Sequence, residues 1–170
     1  MIQAHYNGES VFSNSNEAFS LYEKSRLGEK IGGRIEYLHV EALFLIGERK
    51  MEVFYGKKKL GFNELIAKIK RKDKGVEGKL VVFSDLRKKG YIVKTALKFG
   101  AEFRVYERGV KPGEDHAKWI VYVVRENEQL KWHDFAGKNR IAHSTKKNLL
   151  VAIVDEERDI SYYEVEWKKL

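Results

Sequence analysis

The stretch RVYERGVKPGEDHAKWIVYVV, residues 104–124, joins two short runs of β-branched and aromatic residues through a polar loop. The loop contains Pro112, the only proline of the chain, and His116, which follows two acids and precedes an apolar run. Apolar runs bounded by glycine, proline and acidic residues predict β-strands, and loops on a rigid sheet are where proteins often present reactive groups. The stretch therefore predicts two strands and a loop that either turns the chain or presents His116 to a substrate.

Neighbouring segments extend this pattern into a sheet. The runs with alternating or β-branched character are EFRVYE (102–107), KWIVYVV (118–124), NRIAHS (139–144), LLVAIV (149–154) and ISYYEVEW (160–167). They predict five strands in a mostly antiparallel mixed sheet. The polar segment TKKN, residues 145–148, predicts a turn or a short helical start between the third and fourth runs.

A helix is predicted before the sheet. Residues 81–100, VVFSDLRKKGYIVKTALKFG, have an apolar entry, then a serine, and end in a glycine. Serine is a preferred residue at the start of helices and glycine at their end, so we expect a helix that is capped by Ser84, begins at Asp85 and stops at Gly100.

The first half of the chain is dominated by helical patterns. Residues 13–28 begin with capping residues and end at Gly28, which predicts a short helix. The apolar-rich segment 37–46 predicts a second helix, which a short strand over Met51–Tyr55 follows. Residues 61–73 have apolar side chains at helical spacing and predict a third, amphipathic helix.

A charge-rich segment with two glycines, KRKDKGVEGK at residues 70–79, separates the two halves and has little to bury. We therefore predict an α+β protein with two domains. Residues 1–76 are expected to form a small helical N-terminal α+β domain. Residues 77–170 are expected to form a C-terminal domain whose mostly antiparallel mixed sheet is flanked by helices.

Charge and composition narrow the classes of function. The chain has 33 lysine and arginine residues against 25 acids, a formal net charge of +8. Such an excess indicates a polyanionic partner, most commonly nucleic acid, although a basic protein can also simply stay soluble. The absence of cysteine excludes disulfide scaffolds, thiolate zinc sites and thiol nucleophiles. No run approaches the ~18 apolar residues needed to span a membrane, so we expect a soluble cytoplasmic protein.

Three polar residues fall at predicted strand ends in the second half. Tyr106 ends one predicted strand, His116 begins the next, and Lys147 lies directly before another. Taken singly, each has an ordinary explanation: a tyrosine that packs, a polar loop histidine, and one lysine among many. Their order and spacing give them a joint meaning.

That order and spacing resemble the archaeal tRNA-intron endonucleases, the tRNA-splicing enzymes. The segments similar to the family's C-terminal catalytic domain are DLRKKGYIVKTALKFGAEFRVYERG, EDHAKWIVYVV, RIAHSTKKNLLVAIVD and YYEVEW. The segment LYEKSRLGEKIGGRIEYLHVEALFLIGERK is similar to the family's N-terminal domain. The resemblance therefore covers most of the chain and implies that its C-terminal domain is a nuclease.

The resemblance implies a catalytic triad of Tyr106, His116 and Lys147. We choose Lys147 over Lys146 because the family's lysine precedes one variable residue and then a Leu-Leu pair. The implied reaction uses the 2′-hydroxyl of the RNA as nucleophile and needs no metal or other cofactor. A tyrosine whose pKa falls from ~10 near cations can act as the base, a histidine as the acid, and a lysine as an electrostatic stabiliser. The expected products carry a 2′,3′-cyclic phosphate and a 5′-hydroxyl.

The resemblance also implies a substrate. Precursor tRNA would be recognised through a bulge–helix–bulge and cut at the intron–exon junctions. Arg140 and Trp167 match the positions at which the family grips a bulged base between two flat side chains, which stack well on bases. A strand-edge arginine and a tryptophan that only packs are the ordinary alternatives.

A homotetramer is the implied assembly. In the family, an acidic turn of one subunit docks into a basic cleft of another, and the final strand pairs two C-terminal domains. The candidate docking acids are Asp155, Glu156, Glu157 and Asp159. A solvated hairpin turn is the alternative for this segment.

Two other functions stay open on the sequence. Glu166 and Lys168, with Asp155 or Asp159 upstream, faintly imitate the acid-x-lysine pattern of a metal-dependent nuclease, which would require its metal where the triad would not. The chain could also be a non-catalytic structural or RNA-binding subunit of the same fold. Such a subunit is expected to lack one member of the triad, whereas this chain has all three.

Overall fold

A computed structural model describes all residues from Met1 to Leu170, and the chain forms two compact units, Met1–Leu80 and Val81–Leu170. Each unit combines a mixed sheet with helices, so the predicted α+β class is confirmed. None of the helices is both long and apolar enough to cross a membrane. The domain boundary predicted between residues 76 and 77 falls at the start of a helix. The assignment of residues 1–76 and 77–170 to two domains stays a prediction.

The first unit is built on a six-stranded sheet with the spatial order β3-β4-β2-β1-β5-β6. Its strands are Ile2–Tyr6 (β1), Val11–Ser13 (β2), Glu29–Ile31 (β3), Arg34–Tyr37 (β4), Met51–Tyr55 (β5) and Lys58–Leu60 (β6). All neighbours are antiparallel except β1 and β5, which run parallel. The helices are Asn16–Ser25 (α1), His39–Gly47 (α2) and Phe62–Lys70 (α3).

The sequence predicts these three helices and β5 correctly but misses the other five strands. Each missed strand is only three to five residues long, too short for an alternating pattern to stand out from its surroundings. The hydroxyl of Ser15, one of the capping residues at the start of this segment, caps α1 by accepting from the N–H of Ala18 at 3.3 Å. The helix ends before Gly28 because Arg26 already adopts a left-handed conformation, with φ of +56°.

A buried glutamate joins the loop after α1 to the start of α2. The carboxylate of Glu41, whose residue is 1% exposed, accepts from the N–H of Leu38 at 2.8 Å and from the N–H of Gly28 at 2.9 Å. Buried polar groups are tolerated when they are hydrogen-bonded in this way. Glu41 therefore holds Gly28 in a tight position against β4.

The helix Val76–Lys88 (α4) leads from the residues of the first unit into those of the second. The second unit contains the strands Ile92–Ala96 (β7), Ala101–Tyr106 (β8), Trp119–Arg125 (β9), Asn148–Val154 (β10) and Ile160–Val165 (β11), and the helix Trp132–Ser144 (α5). The five strands lie side by side in chain order. Only β9 and β10 are parallel, so the predicted mostly antiparallel mixed sheet is confirmed.

The strand predicted at residues 139–144 is wrong, because these residues form the C-terminal part of α5. Parallel neighbours such as β9 and β10 need a crossover connection, which a helix usually supplies. Ala142 of α5 is buried in a core with Ile120 and Leu149, and Phe135, seven residues earlier, packs against the same core. This spacing is helical, but it extends over more residues than the short run considered as a strand.

The helix predicted from Asp85 to Gly100 is also wrong. Ser84 lies inside α4, which ends at Lys88, and residues 92–96 form β7. The β-branched residues of this segment favour a strand, and that preference outweighs the capping signal. Gly100, with φ of +68°, ends only a short 3-10 turn over Leu97–Phe99. The number of five strands is therefore correct, with β7 in place of residues 139–144.

Gly28 offers a test of how tightly the first unit is packed. Its φ is +79°, and a Cβ there would clash with Ile35 Cγ2 and approach the carbonyl oxygen of Glu36 at 3.0 Å. We expect Gly28→Ala to lower the free energy of unfolding by about 2–4 kcal/mol, from the left-handed conformation and the steric overlap together. Chemical denaturation measures the loss.

Gly33→Ala is the matched control. Gly33 has φ of +78°, but nothing lies within 4 Å of the position of its Cβ. We expect a loss of about 1 kcal/mol, which reflects backbone conformation alone. Equal losses for the two variants would contradict the predicted close packing at Gly28.

Candidate active site

Three strand ends meet at one edge of the second sheet. The N–H of Lys118, just before β9, donates to the carbonyl of Val105 in β8 at 3.0 Å, and the carbonyl of Lys118 accepts from the N–H of Asn148 in β10 at 2.9 Å. The end of β8 and the starts of β9 and β10 are thus held side by side. Residues next to this row of hydrogen bonds are brought together although they are distant in sequence.

The three residues of the predicted triad line one cleft at this edge. The cleft has a volume of about 510 Å³, and Tyr106, His116 and Lys147 all line it, together with Lys98, Phe99 and Arg104. Each of the three lies within two residues of the hydrogen-bonded row. The structure therefore brings together the groups that the sequence singled out, and their catalytic roles stay predictions.

Tyr106 is the last residue of β8 and is held rigidly by the sheet. The residue is 5% exposed, yet its hydroxyl makes no hydrogen bond within the chain and is not enclosed by protein atoms. A buried ring with an open hydroxyl on a cleft can exchange a proton with a bound molecule. It also has little freedom to move away.

His116 lies in the loop between β8 and β9, and the expectation that it begins a strand is wrong, since β9 starts three residues later at Trp119. The loop is compact: Pro112 and Asp115 form a bridge, and the N–H of Glu114 donates to the carbonyl of Lys111 at 3.0 Å. Ala117, next to His116, is buried and anchors the loop. The imidazole is exposed and has no partner in the chain, so both ring nitrogens are available.

Lys147 is placed by the end of α5. Lys146 adopts a left-handed conformation with φ of +57°, its N–H donates to the carbonyl of His143 at 3.0 Å, and the N–H of Lys147 donates to that of Ala142 at 2.8 Å. These two bonds form the Schellman turn that often ends helices. Residues 145–147 therefore form a turn, one of the two predicted alternatives, and Lys147, unlike the exposed Lys146, lines the cleft.

Cations outnumber acids in the lining of the cleft, with Lys98, Arg104 and Lys147 against Glu114 and Asp115. The ammonium groups of Lys98 and Lys147 lie 4.9 and 5.6 Å from the centre of the Phe99 ring, and Lys147 Nζ donates to the carbonyl of Thr145 at 3.0 Å. Burial lowers the pKa of Lys147, and the charges of Arg104 and Lys98 lower it further. Cations that repel one another in this way favour a bound anion.

Sequence reasoning missed Lys98, Phe99 and Arg104. Arg104 could have been found, because residues two apart on a strand face the same side, and Arg104 precedes Tyr106 by two. The 3-10 turn that carries Lys98 and Phe99 lies where the sequence predicts a helix, so nothing in the pattern connects it with the cleft.

The two residues predicted to grip a base lie outside the cleft. Arg140 is exposed on α5, not at a strand edge, and Trp167 follows β11 and is 47% exposed. The Trp167 ring packs against His143, with 4.7 Å between ring centroids and 45° between planes. His143 and Arg140 are three residues apart on α5, so they share a helix face. Arg140 therefore lies on the same face of α5 as the histidine that Trp167 contacts.

The predicted docking acids form the turn between β10 and β11. The carboxylate of Asp155 accepts from the N–H of Asp159 at 2.8 Å and shapes the turn. Glu156, Glu157 and Asp159 are exposed, and their carboxylates make no ion pair within the chain. The turn thus presents unpaired negative charge to the solvent.

The acid-x-lysine pattern of the alternative metal-dependent nuclease lies just after β11. Glu166 and Lys168 form an ion pair of 2.9 Å with each other. The structure brings no three acidic or histidine side chains close enough together to hold a metal ion.

Comparison with known proteins gives matches to both halves. A model of the tRNA intron endonuclease catalytic C-terminal domain matches residues 76–162, and one of the tRNA intron endonuclease N-terminal domain matches residues 2–66. The tRNA-splicing endonuclease of Thermococcus kodakarensis is 41% identical over 170 residues, which cover 99% of each chain. That of Pyrococcus furiosus is 37% identical over 99% of this chain and 98% of its own, and that of Methanothermobacter thermautotrophicus is 39% identical over 86% and 85%.

Proposed function

The chain belongs to the tRNA intron endonuclease family, and we propose that it cuts precursor tRNA at intron–exon junctions with Tyr106, His116 and Lys147 as catalytic residues. It is a tRNA-splicing endonuclease with a catalytic C-terminal domain, as are its full-length relatives. The observation that carries the choice of residues is the single cleft in which three strand ends present a phenol, an imidazole and an ammonium group.

The proposed reaction is a transfer within the RNA. Tyr106 takes the proton of the 2′-hydroxyl, and the 2′-oxygen attacks the adjacent phosphorus. The bond from phosphorus to the 5′-oxygen breaks, and His116 gives that oxygen a proton. The products carry a 2′,3′-cyclic phosphate and a 5′-hydroxyl, so the proton that leaves the nucleophile is balanced by the proton that reaches the leaving group.

Lys147 is proposed to stabilise the negative charge that develops on the phosphoryl oxygens. Its ammonium is oriented by the carbonyl of Thr145 and the face of Phe99 before substrate binds. A charge that is already oriented in a partly buried site costs little reorganisation during reaction, which makes such groups effective.

Recognition of a bulge–helix–bulge is proposed to use Arg140 and Trp167, which would stack on a bulged base. The exposure of both side chains supports this proposal, as does the contact of Trp167 with His143, which lies three residues from Arg140 on α5. A guanidinium and an indole accept any base on their flat faces, so they would select for an unstacked nucleotide and not for its sequence.

The proposed assembly is a homotetramer in which Asp155, Glu156, Glu157 and Asp159 dock into a basic cleft of another subunit. Unpaired carboxylates at an exposed turn support this role, because charge complementarity chiefly sets which surfaces associate. The edge strand β11 is proposed to pair with its copy in a second chain.

The role of His116 can be tested by substitution. We expect His116→Ala to slow cleavage of precursor tRNA by about 10²–10⁴-fold with little change in affinity, because the imidazole acts on the leaving group and not on binding. Single-turnover rates and filter binding measure the two effects. His133→Ala, which removes an exposed histidine outside the cleft, should behave as wild type. A His116→Ala enzyme that cuts at the normal rate would remove this residue from the mechanism.

The nucleophile can be tested in the substrate. Replacing the 2′-hydroxyl by hydrogen at the nucleotide 5′ to the cut should abolish cleavage there, because the hydroxyl is a reactant. Binding should change little, since phosphate contacts and base stacking supply most of the affinity. The same replacement one nucleotide further away is the control. Efficient cutting at the modified site would point to an activated water and exclude the Tyr106–His116–Lys147 mechanism.

The docking turn can be tested by charge reversal. We expect the combined substitutions Glu156→Lys, Glu157→Lys and Asp159→Lys to lower the mass measured by light scattering at matched concentration. The turn would then be repelled by a basic cleft. Asp155 is kept, since its carboxylate shapes the turn. Arg158→Gln perturbs the same turn without removing an acid and should leave the mass unchanged. An unchanged mass in the reversed variant would make the turn a solvated hairpin.

A further inference from the structure

We propose that Arg104 is a further catalytic residue, whose guanidinium donates hydrogen bonds to a non-bridging oxygen of the scissile phosphate. This proposal rests on the proposed function and adds a group outside the triad of Tyr106, His116 and Lys147. It is independent of the roles of Arg140 and Trp167 in base recognition.

Arg104 has no partner in the protein. It makes no hydrogen bond and no ion pair within the chain, and its Nε is buried without an acceptor. An arginine that stabilises a fold is normally paired, because a buried donor without an acceptor is costly. The chain therefore holds a partly buried guanidinium that its own folding does not use.

The neighbours of Arg104 confirm that no acid is aimed at it. Directly across from it in the sheet are Lys94 in β7 and Ile120 in β9. Glu102, two residues earlier on the same face, accepts from the N–H of Val123 at 3.1 Å. The strand thus directs Arg104 to the cleft, on the same side as Tyr106.

The other cations that line the cleft also lack an acidic partner. Lys98 and Lys147 line it with Arg104, and none of these three cations forms an ion pair. Glu114 and Asp115 also line the cleft, but their carboxylates accept from the N–H groups of Lys111 at 3.2 Å and His116 at 2.7 Å, and they pair with none of the three cations. An anion that enters the cleft would accept from the Nη groups of Arg104, which make no hydrogen bond and, unlike Nε, are not enclosed by protein atoms.

A guanidinium suits the phosphate better than a second ammonium would. Its N–H groups form a rigid planar fork that fixes the direction of the hydrogen bonds it donates to one oxygen, whereas an ammonium is a freely rotating point charge. Arg104 would therefore hold the phosphate in line for attack while Lys147 neutralises charge. Removal of an oriented donor of this kind typically slows a reaction by about 10²–10³-fold.

The first measurement is the single-turnover rate of Arg104→Gln on precursor tRNA. We expect a loss of about 10²–10³-fold in rate with affinity changed by less than about tenfold. Arg104→Lys keeps the charge without the parallel donors and should recover only part of the rate. Arg108→Gln, which removes an exposed arginine outside the cleft, is the matched control and should keep the wild-type rate.

The second measurement identifies the contact itself. The cleavage rates of wild type, Arg104→Gln, Arg104→Lys and Arg108→Gln are measured on substrates that carry one or the other phosphorothioate diastereomer at the scissile phosphate. Sulfur at the oxygen that Arg104 contacts should slow the wild type and Arg108→Gln more than Arg104→Gln, whereas the other diastereomer should slow all of them equally. Equal effects of both diastereomers in wild type and in both Arg104 variants would show that the guanidinium does not touch the phosphate.

Failure of this proposal can be separated from failure of the proposed function. If only the role of Arg104 is wrong, the thio effects do not depend on Arg104 and the 2′-deoxy substrate still resists cleavage. If the proposed chemistry is wrong, the 2′-deoxy substrate is cut. Arg104→Lys preserves the charge of the strand, so a folding defect confined to Arg104→Gln does not prevent the comparison.

Discussion

The parallel pairing of β9 and β10 is the constraint on which the rest of the second unit depends. A strand parallel to β9 has to enter the sheet at the same edge, so the chain must cross back over the sheet, and α5 makes that return. Because β8 is antiparallel to β9, it finishes at this edge too. An antiparallel β10 would begin at the opposite edge and carry Lys147 the length of a strand away from Tyr106 and His116.

The sequence predicts what local signals determine. Tyr106 at the end of a strand and Lys147 in the turn before another are correct, because β-branched runs and polar turns mark both places. The exchange of a strand for a helix at residues 139–144 is an error of a different kind, since only the pairing of β9 with β10 requires a helix there. The spacing of Arg104 from Tyr106 places both on one face of β8, but that Arg104 lacks a partner is recognisable only when its neighbours in space are known.

The net charge of +8 means that cations outnumber acids, and the structure shows which of these cations have an acid beside them. Lysines on the exposed surface often have an acid beside them, as Lys58 has Glu64 at 2.6 Å and Lys70 has Glu77 at 2.8 Å. Such exposed pairs contribute little to stability, but they neutralise the surface locally. The three cations of the cleft form no ion pair, so their charge is available to a polyanion where the reactive groups lie.

The Schellman turn at the end of α5 also acts as a spacer of fixed length. Its two hydrogen bonds fix the number of residues between Ala142 and Lys147, and the pairing of β10 with β9 fixes the position of Asn148 directly after them. Neighbouring residues of an extended chain point to opposite sides, so one residue more or fewer would turn the lysine away from the cleft. Proteins usually tolerate changes of length in surface turns. Here an insertion or deletion would displace Lys147, so we expect homologues that use the same chemistry to keep the length of this turn.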